Sequence, residues 1–68
     1  MNKELLKSVM ALHNDTGISL AEYLRITPQT FYNKVNEING AEFKQGEIRA
    51  IVERYKLTPD EYGAIFFN

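Results

Sequence analysis

At 68 residues the chain has the size of one small domain, and such a domain hides only about 60% of its unfolded surface on folding. The absence of cysteine excludes a disulfide framework and a thiolate metal site, which leaves homodimerisation as the obvious reinforcement of a small core. A net charge of −1 excludes a polycationic chain, and nonspecific nucleic-acid affinity comes largely from neutralising phosphates.

In chain order, Asn2 is placed to cap a first helix in which Leu5, Leu6, Val9, Met10, Leu12 and His13 recur at amphipathic spacing. Lys3 and Lys7 enclose Glu4, and no apolar leader core or small-residue cleavage site follows them, so a cytoplasmic location is expected. Asn14-Asp15-Thr16-Gly17 breaks the helix. Thr16 is the expected N-cap of a short second helix carrying Leu20, Ala21 and Leu24, with Asp15 beside its positive dipole end. Arg25-Ile26-Thr27 connects it to a third helix starting at Pro28, where a hydroxyl cap precedes a proline whose missing N–H costs nothing. Phe31 and Val35 turn inward in this helix, leaving Gln29, Tyr32, Asn33 and Asn36 toward solvent.

Asn39-Gly40 suits positive φ and is expected to end the third helix, with Phe43 folding back onto the core from the following loop. A fourth helix from about Gln45 buries Ile48, Ile51, Val52 and Tyr55 and keeps Glu47, Arg49, Glu53 and Arg54 largely wet. Thr58-Pro59-Asp60-Glu61 is a capping box that opens a fifth helix holding Tyr62, Ile65 and Phe66. The apolar run at 64–67 is far too short to cross a bilayer, and no alternating β-branched run predicts a sheet. The expected fold is all-α: a compact five-helix domain over 1–68, with a helix-turn-helix at about 16–36 and C-terminal helices at about 45–67.

Two short helices joined by a three-residue connector pack steeply when the meeting faces are small and apolar, a condition that Ala21 meets. The third helix then stands proud, in a form that fits a DNA major groove. Between Tyr23 and Asn36 there is no acid, while Arg25 and Lys34 are present. The stretch Thr16-Gly17-Ile18-Ser19-Leu20-Ala21-Glu22-Tyr23-Leu24-Arg25-Ile26-Thr27-Pro28-Gln29-Thr30-Phe31 resembles the helix-turn-helix of the phage repressor and Cro family, the Xre-like regulators. The matching positions are Thr16, Leu20, Ala21, Leu24, Ile26 and Thr27. The five-helix outline, a lambda-repressor-like one, extends the resemblance over nearly the whole chain. It implies a dimeric, operator-binding transcriptional regulator, commonly of a phage or prophage, that represses by occupying double-stranded DNA.

By position in that motif, Gln29 and Asn33 are the expected base readers, since amides offer adenine a donor and an acceptor together. Thr27, Pro28 and Thr30 lie at the same turn, where Pro28 and Thr30 would touch a thymine methyl or backbone, and the Tyr32 hydroxyl would reach phosphate. Arg25, Lys34 and Lys44 would position rather than specify. Arg25 stands where the family usually has glycine, predicting a side chain held at positive φ. Gly17 replaces a residue, often glutamine, that binds phosphate in the family. Four large apolar groups near the end, Tyr62, Ile65, Phe66 and Phe67, cannot all face inward and are assigned to a homodimer interface, with Ile65 and Phe66 also closing the core.

Lone His13 has no ligand partner and reads as a helix-end residue, so no metal or cofactor is expected. No nucleophile–base pair, paired carboxylates or phosphate-cradling loop can be assembled, so neither an enzyme nor a small-molecule substrate is expected. The competing reading keeps the fold and makes it a protein-binding adaptor or antitoxin module acting through the Tyr62 to Phe67 end.

Overall fold

Each helix begins where a side chain can accept one of the backbone N–H groups that the first turn leaves unpaired. The structure, a computed structural model, describes residues 1–67. Helix α1 spans Lys3–Leu12, α2 Gly17–Tyr23, α3 Pro28–Val35, α4 Gln45–Tyr55 and α5 Pro59–Phe66. The side-chain oxygen of Asn2 accepts from the Leu5 amide at 3.0 Å, that of Thr16 from Ser19 at 3.0 Å and that of Thr27 from Thr30 at 3.1 Å. At α5 the box is reciprocal: Thr58 accepts from the Glu61 amide at 3.2 Å while the Glu61 carboxylate accepts from the Thr58 amide at 2.8 Å. Helix α4 has no hydroxyl at its cap; Glu47 reaches back to accept from the Lys44 amide at 2.8 Å.

Three of the helices end in one way. Asn14, Arg25 and Lys56 take φ of 53°, 61° and 52°. After each, the next amide reaches back five residues: Asp15 to the Met10 carbonyl at 2.8 Å, Ile26 to Ala21 at 3.0 Å and Leu57 to Val52 at 3.0 Å. This is the Schellman closure, which normally uses glycine at the left-handed position. The positive φ expected at Arg25 is present. Lys56→Gly should therefore relieve about 1 kcal/mol of left-handed strain, partly offset by unfolded-state entropy, and raise the melting temperature by about 4 °C. A thermal melt in which Lys56→Gly is no more stable than the parent would overturn that account.

The core gathers residues from all five helices. Leu6, Leu20, Ile51 and Ile65 are fully buried, and Val9, Met10, Ala21, Phe31, Val35, Phe43, Tyr55 and Leu57 complete it. Phe43 does fold back, packing edge-on against Phe31 and Phe66 with ring centroids 5.8 and 6.3 Å away. The Ile65 carbonyl accepts from the Asn2 amide at 2.6 Å, which ties the start of α1 to α5.

Three expectations are corrected. Leu12 is 82% exposed, because it prolongs the half-buried Leu5 edge of the α1 stripe beyond the part that neighbours cover. Helix α3 ends at Val35 rather than at Asn39-Gly40: Glu37 already takes φ of 53°, and Asn39 and Gly40 lie in a separate 3-10 turn, Ile38–Gly40. Ile65, assigned to a subunit interface, has no exposed surface in the single chain and so belongs to the core. Among the described residues no helix is long and apolar enough to cross a membrane.

Candidate nucleic-acid interface

Phe31 and Val35, four residues apart, hold one face of α3 against the core. With 3.6 residues per turn, the opposite face must then carry Gln29 and Asn33. Gln29 is exposed and Asn33 partly so. The Gln29 amide nitrogen donates to the Asn33 side-chain oxygen at 3.0 Å, which orients both amides. Gln29 keeps an acceptor oxygen and one N–H, and Asn33 keeps its NH₂ group.

The first turn of α3 is tightened by its own cap. Thr27 accepts the Thr30 amide and donates its hydroxyl proton to the Thr30 hydroxyl at 2.9 Å. Thr27 and Pro28 are exposed, and Thr30 is partly covered. On one flank, Tyr32 is 57% exposed.

On the other flank the expectation for Lys34 is corrected. Its ammonium donates to both carboxylate oxygens of Glu47 at 2.7 and 2.9 Å, and its side chain is only 11% exposed. A charge compensated at that range has little to offer a phosphate, so Lys34 tethers α3 to α4. Burial pushes the Glu47 carboxyl up, but the Lys34 ammonium and the Lys44 amide outweigh it, leaving the group below its ordinary value. Arg25 and Lys44 remain exposed and, among the described residues, form no ion pair.

The α2–α3 pair is held from behind by a network that sequence reasoning missed. Arg54, expected on the wet side of α4, points its guanidinium at Asp15: Nε donates at 2.8 Å and Nη2 at 3.2 Å, while Nη2 also reaches the Ser19 hydroxyl at 3.3 Å. The Tyr55 hydroxyl donates to the same carboxylate. Arg54 also lies over the Tyr23 ring, 4.5 Å from its centroid. The Arg54 hydrogen bonds hold the Asp15 carboxyl far below the usual range against the opposing effect of burial, with help from Tyr55 and the Thr16 amide. Burial, then the bond to Asp15, keeps the Tyr55 phenol protonated well above its usual range.

At the far end, Tyr62 packs against Phe66 and Phe67 with centroids 6.0 and 5.2 Å away. Tyr62 and Phe66 are half-buried and Phe67 is 69% exposed. Of the four residues assigned to an interface, these three retain surface for one. Comparison with known protein families, with curated proteins and with solved structures found no match, so the arrangement around α3 carries the functional argument.

Proposed function

We propose that this protein is a sequence-specific double-stranded-DNA-binding regulator of the lambda-repressor-like, Xre type, acting in the cytoplasm as a homodimer. The observation that carries the reading is the mutually oriented Gln29–Asn33 amide pair, bonded at 3.0 Å and facing outward from a capped helix. Adenine offers an N6 donor beside an N7 acceptor in the major groove; the remaining Gln29 oxygen and N–H fit that pattern, and the Asn33 NH₂ adds a donor. Thr27, Pro28, Thr30 and Tyr32 surround the pair, with Arg25 and Lys44 as backbone anchors. Tyr62, Phe66 and Phe67 would join two copies so that their α3 helices enter successive major grooves roughly 34 Å apart. Repression would follow from occupying an operator.

Titration onto a mixed-sequence duplex at two salt concentrations tests the reading, since affinity must fall as salt rises. Selection from a random pool then yields the preferred site. On that site Gln29→Ala should lose about 1–3 kcal/mol, roughly 5- to 150-fold in affinity, with little loss on random DNA. Equal losses on both would remove Gln29 as a base reader.

A second reading, a protein-binding adaptor or antitoxin, is favoured by the net charge of −1 and by the compensation of Lys34 by Glu47. Absence of duplex binding at low salt by the dimeric protein would select it.

A further inference from the structure

The two flanks of α3 differ in charge. The hollow on the α4 side contains Glu42, Glu37 paired with the N-terminal ammonium of Met1 at 3.5 Å, and Lys34 already paired with Glu47. On the α1 side, a groove of about 400 Å³ is bounded by Lys7, Gly17, Ile18, Pro28, Tyr32 and Asn36, and among the described residues no acid lines it. Its floor is Phe31. A Cβ at position 17 would come within 3.3 Å of the Phe31 ring, so a glycine there keeps the upper edge of the groove open.

Lys3 and Lys7 are four residues apart on α1 and therefore share a face. Lys3 donates to the Asn36 side-chain oxygen at 2.9 Å, which turns that face toward the C-terminal half of α3. Both lysines are exposed, and among the described residues neither enters an ion pair. Ile18, 68% exposed, and Tyr32 give the groove apolar walls topped by a phenolic hydroxyl.

We propose that this groove seats one stretch of DNA backbone, with the Lys7 ammonium and the Tyr32 hydroxyl on a phosphate and the adjoining deoxyribose against Ile18 and Pro28. The proposal rests on the DNA-binding reading above and adds to it the strand contact that Gly17 and Lys34 do not supply. Charge decides the occupant: a rim with an exposed lysine and no acid beside the proposed reading face matches a polyanion, whereas both cations of the hollow across α3 are already paired with carboxylates and Glu42 adds a negative charge there. An apolar wall below a cation is the pairing that a sugar joined to a phosphate requires.

The test is the salt dependence of duplex affinity for the parent, Lys7→Ala and Lys34→Ala, each variant first shown to retain the parent's helical circular dichroism. One phosphate contact contributes about 0.9 to the slope of log K against log salt. Lys7→Ala should reduce the slope magnitude by about 1 per bound subunit, about 2 for the dimer, on selected and random duplexes alike, while Lys34→Ala leaves it unchanged. Ile18→Glu, at an exposed position, should weaken both duplexes together by placing an acid at the sugar. A parent that binds DNA with a Lys7→Ala slope equal to its own overturns the groove assignment and leaves the regulator reading standing. A slope change in Lys34→Ala alone moves the phosphate to the opposite flank and likewise overturns it. A parent that binds no duplex overturns both.

Discussion

Asp15→Ala is expected to lower the free energy of unfolding by about 3 kcal/mol, the cost of stranding buried charged and polar partners. The Asp15 side chain is 5% exposed and its Arg54 partner 27% exposed. Four donors converge on the one carboxylate: two guanidinium N–H groups, the Tyr55 hydroxyl and the Thr16 amide. Truncation leaves them without their acceptor and cuts the link between the α1–α2 connector and α4. For a domain of this length, with a total stability of roughly 3–10 kcal/mol, the melting temperature should fall by about 15 °C.

The same network sets an acid limit. Because Asp15 titrates lower in the folded chain than in the unfolded one, its contribution is fully present above the unfolded value near 3.8 and is lost as pH falls through the folded value. Glu47 acts in the same sense. The stability gap between the parent and Asp15→Asn should therefore be widest at neutral pH and narrow steadily below about pH 4. Melts at pH 7 and pH 2.5 check this, and a gap of constant width would show that the ion pair contributes nothing as a charge.

Ile65→Ala should cost about 3 kcal/mol through the cavity it leaves among Leu6, Leu20 and Ile51 and their neighbours. Phe67→Ala, at an exposed site, should change the stability of the single chain by no more than about 0.5 kcal/mol. If the C-terminal end joins two copies, Phe67→Ala lowers the sedimentation coefficient at a given concentration while Ile65→Ala acts through unfolding. A melt in which Ile65→Ala is neutral would return this residue to the surface and reverse its assignment to the core.

The helix starts were legible because a cap is a local device. Asn2, Thr16, Thr27 and Thr58 each bond an amide three residues ahead, so the signal lies within one turn of sequence. The inward faces of α3 and α4 were legible for a similar reason, since Phe31 with Val35 and Ile51 with Tyr55 repeat at four residues. The same periodicity placed Gln29 and Asn33 on the outer face, though not the bond between them. Leu57 escaped notice because it belongs to no helical stripe: it is buried as the residue after a left-handed Lys56.

The amino-acid order by itself determined five helices, the caps of four of them, their apolar stripes and the outward aim of the amides on α3, while the positive φ of Arg25 followed from the resemblance to a turn that usually holds glycine. The folded chain alone decided which charges are free. Asp15 meets Arg54 across 39 positions and Lys34 meets Glu47 across 13, and no periodicity encodes such pairings. A helical repeat specifies only which side of one cylinder a residue occupies, whereas the partner of a charge depends on how cylinders pack. That packing removes Lys34 from the exposed cations of α3, draws Arg54 inward and, among the described residues, leaves Lys7 without an ion-pair partner beside the groove.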